Sequence, residues 1–386
     1  MKSTREFNSK RLRNARLYRA KTISDLAEDV GVSKQAISQY ENGRATPSFE
    51  TLLKIVNSLR FPKEYFYEGD KLEIKVRNTY FRSLLTTNKK DRIAQVAKIK
   101  LLSSLYHFLS MYVEFPKLNL PNLNFEGKSI EDIAMEIREY WGLGEQPISN
   151  VIRVLEKNGI IITSFDTESD FIDAFSQKQE INKKEYYFIV LGNDKKSAVR
   201  RQFDAAHELG HILLHDWALD IEQISREEFR QIEKEANLFA AEFLLPKKSF
   251  IKDLIYPTEL DFYIELKKKW KVSISSMIVR SYQLKVINYN QYQYMMRKIS
   301  KNGWKRKEPL DDIIQIPKPI VFKKAIKILL ENNIFTGPEI LRELSNYGLS
   351  LDRKEVEVLL GLDSGTLIDT NKNSPVVSIR NKIKKA

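Results

Sequence analysis

The 386-residue chain has no cysteine, so no disulfide can staple it and no thiolate can hold a metal. That absence suits a reducing compartment, and a cytoplasmic protein is expected. No apolar run approaches the length that crosses a bilayer. No apolar run follows Met1-Lys-Ser-Thr-Arg5 as it would in a secretory leader. No membrane partner is therefore expected. Internal repeats and low-complexity tracts are missing. Histidine is scarce, with four in the whole chain. Three of the four are His207, His211 and His215, which makes an accidental cluster improbable.

His207-Glu208-Leu209-Gly210-His211 is an HExxH pattern. On a helix, residues four apart project from the same face, one turn above the other. Two such imidazoles can grip one zinc ion from one side, and Glu208 then lies next to it as a general base. This is the residue set of a zinc-dependent peptidase centre. A hydrolytic zinc needs a third protein ligand and an open position. Without cysteine the third ligand must be His, Asp or Glu.

The stretch from Glu233 to Leu245 is helical by pattern and stops at Pro246. Glu233 and Asn237 share a face, with Glu233 placed to ligate and Asn237 to hold a ligand imidazole from behind. Glu235 competes for the ligand role but points to another face. His215 could ligate, stabilise a transition state, hydrogen-bond behind a ligand, or cap the helix end. His107 reads as an ordinary helix-surface or core histidine. A purely structural zinc would normally be closed by four ligands and rich in cysteine, unlike this set.

The first seventy residues have a different pattern. Helices are expected over Ser9 to Arg19, Ile23 to Val30, Lys34 to Glu41 and Phe49 to Leu59. Thr22, Ser33 and Ser48 would serve as N-caps, with Gly31 in a tight turn and Gly43 past a helix end. This is a helix-turn-helix, whose second motif helix enters the major groove of double-stranded DNA. Ser33, Lys34, Gln35, Ser38 and Gln39 would face base edges. Gln suits adenine and Lys suits guanine. Arg13, Asn42 and Arg44 would touch phosphates and set position. Leu26, Ala27, Val30, Val32, Ala36, Ile37 and Tyr40 would form its core.

The net charge of +13 allows a polyanionic partner, and its distribution sharpens the point. Residues 1–70 carry +4, residues 71–125 carry +7, residues 301–386 carry +5, and residues 126–300 carry −3. Basic charge thus flanks the region of the histidines, which fits nucleic-acid contact by the ends and another substrate in the middle. Lys89 to Val113 reads as one long helix with a basic face, ended by Pro116 and Pro121 as a connector and hinge. Helices are then expected over Ser129 to Gly142 and Ile148 to Lys157. Strands follow over Ile160 to Phe165, Phe171 to Phe175 and Tyr186 to Leu191, and the HExxH helix starts near Ser197. Phe250 to Leu284 continues helical, residues 318–362 form a C-terminal helical segment, and a polar basic tail closes the chain. A strand edge beside the zinc could pair with an extended peptide.

His-Glu-Leu-Gly-His-Ile-Leu-Leu-His (207–215), with Glu233-x-x-Ala236-Asn237-x-Phe239-Ala240 and Leu244-Leu245-Pro246, resembles the ImmA/IrrE metallopeptidases. The segment ending Tyr40-Glu-Asn-Gly-Arg44 resembles the Xre-type helix-turn-helix of phage repressors. The combined layout is similar to bacterial and phage fusions of the two. Trp141-Gly-Leu-Gly144, Asp173-Ala-Phe-Ser176 and Lys195 to Asp204 also look like that group. The resemblance implies His207, His211 and Glu233 as zinc ligands and Glu208 as catalytic base. It also implies a peptidase that cuts or inactivates a regulator.

The expected fold class is α+β and mainly helical. An all-α helix-turn-helix domain (1–70) leads, through a basic connector helix and proline hinge (71–124), into a zincin-like metallopeptidase domain with a small sheet (125–300). A helical C-terminal segment with a basic tail (301–386) follows. The expected function is a DNA-binding regulator with a zinc-dependent endopeptidase. Its partners would be operator DNA and a protein substrate, a partner repressor or the chain itself, in a stress or mobile-element response. A homodimer is compatible with this reading, since helix-turn-helix proteins often bind as dimers, but no coiled-coil heptad marks a dimer surface. The rival reading is a metal-bound transcription factor or antitoxin that never turns over.

Overall fold

The computed structural model describes residues 6–81, 88–122, 127–167, 173–193, 197–215, 217 and 223–368. The chain opens with helices α1 (Ser9–Tyr18), α2 (Ile23–Val30), α3 (Lys34–Glu41) and α4 (Phe49–Leu59), then a 3-10 turn over Lys63–Tyr67. Strand β1 (Ile74–Phe81) and helix α5 (Lys89–Leu109) follow. Next come α6 (Ile130–Tyr140), α7 (Val151–Lys157), and strands β2 (Ile161–Phe165), β3 (Ala174–Ile181) and β4 (Lys184–Gly192). Then come α8 (Ala198–Leu214), α9 (Arg226–Leu244), α10 (Lys247–Asp253), α11 (Phe262–Trp270), α12 (Ile274–Gln283) and α13 (Tyr289–Lys301). The described chain ends with α14 (Val321–Glu331), α15 (Gly337–Asn346) and α16 (Arg353–Leu359). The fold is mainly helical α+β, as expected.

The sheet runs β1-β3-β4-β2, with β2 parallel to β4 and the other pairs antiparallel. Asn182 and Lys183 both have positive φ, 48° and 67°, as a two-residue hairpin turn between β3 and β4 requires. The sheet is a partition. Ile162, Ile189 and Leu191 face the core of α6–α13, while Ile161, Phe188 and Val190 face the core shared by α1–α5 and α14–α16. Strands buried on both faces read as continuous apolar runs, which is why β2 and β4 were legible.

Three expectations are corrected. The strand expected over Phe171 to Phe175 lies instead over Ala174–Ile181, and residues 171–172 fall outside the described residues. Its polar sequence hides a central strand because its glutamines bond each other and their neighbours. Gln177 donates to Thr79 Oγ1 at 2.6 Å, and Gln179 donates to Gln177 Oε1 at 2.5 Å.

The connector is not a connector. Residues 74–81 form an edge strand, and α5 has no exposed residue beyond Lys90. Lys98, expected on a solvated basic face, lies against the rings of Phe165 at 5.5 Å and Tyr18 at 5.9 Å. The helix also stops at Leu109 rather than Val113.

The proline hinge is pinned. Asn119 donates its backbone N–H to the Asn158 carbonyl at 3.0 Å, and Phe115 packs on Tyr106. Gly159 (φ +79°) is what lets this strand of chain pass, since a Cβ there would meet the Lys117 carbonyl and Leu118 nitrogen at 2.4 Å.

The C-terminal helices join the helix-turn-helix domain, here called the reader, to the rest. Buried Glu68 accepts from the Ser350 backbone N–H at 2.9 Å, Arg19 pairs with Glu355 at 2.7 Å, and Thr163 on β2 donates to the Leu359 carbonyl at 2.7 Å. Glu156 accepts the backbone N–H groups of Ile320 and Val321 at 2.8 and 3.0 Å. The reader is therefore mounted on the sheet rather than tethered to it.

Candidate metal centre and DNA-reading face

Helix α8 carries His207, Glu208 and His211, all fully buried. Helix α9 crosses it closely at Gly210, where a Cβ would lie 3.1 Å from the Ala236 Cα. That close approach delivers Glu233 to the histidines. His207 Nε2 lies 3.0 Å from His211 Nε2, and the Glu233 carboxylate lies 3.4 Å from the first and 3.3 Å from the second. The three form a group able to hold a metal ion. A tetrahedral zinc bonded at about 2.0–2.1 Å separates its ligand atoms by about 3.3 Å. The observed triangle has that size, so the donor set fits zinc. Burial alone would raise the Glu233 carboxyl, but hydrogen bonds from His207 and His211 prevail and hold it at about 2. A carboxylate kept ionised is the form that ligates.

Behind the triangle runs a second line of contacts. His211 Nδ1 lies 2.9 Å from His215 Nδ1, and His215 Nε2 lies 3.3 Å from Glu235. Gln231 in turn donates to Glu235 at 2.7 Å. This chain fixes the ring of His211 with its Nε2 toward Glu233. Burial, with the neighbouring His211, pushes the His215 imidazole down to about 4. Of the open roles for His215, the geometry favours the one behind His211. Glu235, the rival ligand, faces His215 instead.

Asn237 departs from its expected place. Its side-chain amide donates to the Glu233 carbonyl one turn back, at 2.8 Å, because that acceptor lies within reach on its own helix. It braces the turn that carries Glu233 rather than an imidazole.

Tyr80 has no counterpart in the sequence reading. It comes from β1, is 1% exposed, and stacks on His211 with ring centroids 4.8 Å apart and planes at 12°. Trp217 meets the same ring edge-on, centroids 4.7 Å apart. The aromatic Thr79-Tyr80-Phe81 stretch was the available signal, but nothing tied it to histidines 130 positions away.

A cleft of about 1210 Å³ opens beside Glu233. It runs between α8, α9 and α12, past Phe203, Asn237 and Leu238 to Arg280 and Lys285. Arg280 is buried there against Glu242, donating at 2.5 Å.

In the reader, helix bounds match the expected ones within a residue. Gly31 takes φ +73° in the turn, and Thr22 and Asp25 form a reciprocal cap. Ser33, Lys34, Gln35 and Gln39 are exposed on α3, as are Arg13, Asn42 and Arg44 around it. Ser33 Oγ accepts the Ala36 N–H at 3.1 Å, so the hydroxyl caps α3. Ser38 is half-buried, and its carbonyl accepts from Asn42 at 2.8 Å. A buried Arg16–Glu41 pair, 2.5 Å apart, locks α1 to α3 and sets the angle of α3.

Residues 12–66 match the family model of a helix-turn-helix, and residues 155–282 match that of the IrrE N-terminal-like domain of the M78 peptidases. The chain is a helix-turn-helix fused to an ImmA/IrrE-type, metallopeptidase-like domain. No curated protein matches it. Tyr80, α13 and the C-terminal helices all lie outside the matched residues.

Proposed function

We propose that the chain is an operator-binding transcriptional regulator that carries a zinc-dependent endopeptidase and cleaves a regulator protein, a partner repressor or itself. The observation that carries this reading is the 3.0–3.4 Å triangle of His207, His211 and Glu233 with Glu208 buried on the same helix. His207, His211 and Glu233 would hold the zinc, which would supply Lewis-acid polarisation of a peptide carbonyl and acidify water. Glu208 takes up the proton released at attack and delivers it to the leaving amine nitrogen. His215 and Glu235 keep His211 oriented throughout. Tyr80 and Trp217 wall the site from solvent on the β1 side, where exclusion of water strengthens each of these interactions.

The regulatory half rests on the exposed face of α3. Selection of bound duplexes from a random pool by the full chain should return a defined site. Lys34→Ala and Gln35→Ala should each relax one or two base positions, at about 1–3 kcal/mol of discrimination per lost bidentate contact. Arg13→Ala and Arg44→Ala should instead weaken all sequences alike and lower the salt slope by about 1 each. Equal affinity of wild type and all four variants for every duplex would sink the DNA-reading assignment.

A further inference from the structure

The segment from Leu266 to Lys307 holds twelve Lys or Arg side chains and not one Asp or Glu. A net charge summed over 126–300 conceals this, because the acids of that region lie elsewhere. Some of the twelve cations are matched by acids outside the segment: Lys267 by Glu308 at 2.9 Å, Lys268 by Glu265 at 2.7 Å, and Arg280 by Glu242. Lys285, Arg297, Lys301, Lys305 and Arg306 have no ion pair among the described residues, and all five are exposed. They lie on α13 and the turns at either end of it. With them stand Tyr282, Tyr289 and Tyr294, exposed by 38%, 57% and 51%.

This face is continuous with the cleft beside the metal centre. Gln283, Leu284 and Lys285 line the far end of the cleft, and α13 begins four residues beyond Lys285. A ligand that leaves the cleft at Lys285 therefore runs directly onto α13. Glu259 and Asp261 stand near Lys298, but the five cations without an ion pair outnumber them. A chain that reaches the ligands of a peptidase is a polypeptide, and its complement on a face with an excess of cations is acidic. Tyr and Arg are also the side chains that carry binding energy at protein interfaces.

The tyrosines argue against unpaired nucleic-acid bases as the occupant. Base stacking needs a free ring face. Tyr282 and Tyr292 cover each other at 5.0 Å and 21°, and Lys298 sits over Tyr294 at 4.7 Å. That leaves Tyr289 as the exposed ring without a stacked or cationic cover, too few for a run of bases, among lysine and arginine heads that suit carboxylates and a peptide backbone.

We propose that α13 and the turns flanking it are a docking surface for an acidic segment of the protein substrate, which holds that segment while the adjoining stretch enters the cleft. The proposal rests on the peptidase reading of the metal centre. It makes the preferred substrate a protein with an acidic stretch beside an exposed, cleavable strand or loop. Exposed charges attract at a distance and are screened by salt, so docking weakens steeply as ionic strength rises.

The test uses full-length Glu208→Gln protein, so that binding is read whether or not the chain is a peptidase. Fluorescein-labelled 16-residue probes are titrated by anisotropy: one rich in Glu and Asp, one of the same length and apolar content without charge, and an oligothymidylate. The acidic peptide should bind at least tenfold tighter than the neutral one. The combined Lys285→Glu, Arg297→Glu and Lys301→Glu variant should lose that preference, with metal content and melting temperature unchanged. These three side chains are exposed, so the variant folds. Equal binding of the two peptides, or a preference that survives the charge reversal, overturns the proposal. Tighter binding of the oligothymidylate that the reversal abolishes also overturns it and gives the surface to a polynucleotide. Loss of the peptidase reading would show separately, as no cleavage by wild type with acidic-peptide binding intact.

Discussion

Glu208→Gln is expected to keep the metal and lose cleavage by roughly a hundred- to ten-thousand-fold, the range that general acid–base catalysis supplies. The side chain is fully buried on α8 between two histidines whose ring nitrogens face Glu233. Glutamine has the same length and nearly the same volume, so packing is preserved. Its amide cannot accept a proton, so proton transfer alone is removed. New protein N-termini in cells that express wild type should therefore vanish in cells that express the variant. Identical fragment sets from both would assign the proton transfer elsewhere. Identical proteomes without fragments, under stress as well as at rest, would favour a regulator that senses a metal and never turns over.

Tyr80→Ala is expected to cost about 3–5 kcal/mol of stability, as for other buried aromatic truncations. The same change should weaken metal binding about tenfold, as loss of a contact that orients a ligand does. The ring stacks on His211 and is held edge-on by Trp217, so its removal frees the His211 imidazole. Tyr80→Phe keeps the stacked ring and should retain most of both. Calorimetry with and without added zinc separates the two effects. A metal affinity unchanged in Tyr80→Ala would reduce the residue to packing alone. The effect reaches further than one side chain, since β1 is the strand that leaves the reader. Only ten positions separate Tyr80 from Asp70, which Arg11 on α1 anchors at 3.0 Å.

The histidine pair and the reader were legible because each is a local pattern. The spacing of 207 and 211 encodes a helix face. Thr22, Gly31, Ser33 and Ser48 punctuate the reader with caps and a turn that act within four residues. Glu233 stood out over Glu235 because it shares a helix face with Asn237, and it lies 3.3–3.4 Å from both histidines. What was not legible depends on distant partners. Strand β3 looks like a loop in Ser176-Gln177-Lys178-Gln179, and only Thr79, Ser103 and its own ladder make those amides tolerable inside a sheet. Helix α5 has the sequence of a basic surface helix, yet the reader, the sheet and α16 enclose it. Asn237 was misplaced because the nearest acceptor was its own backbone. The run of cations from Lys267 to Lys307 was hidden by adding charges over the longer segment 126–300.

The central claim is that His207, His211 and Glu233 together hold one zinc in a peptidase-type site. It is tested most directly by the metal content of purified full-length protein, wild type beside Glu233→Ala, measured by mass spectrometry after exhaustive dialysis. The account predicts close to one zinc per wild-type chain and little in the variant, with the helical content of both alike. Zinc absent from the wild type, or retained in full by Glu233→Ala, would contradict it.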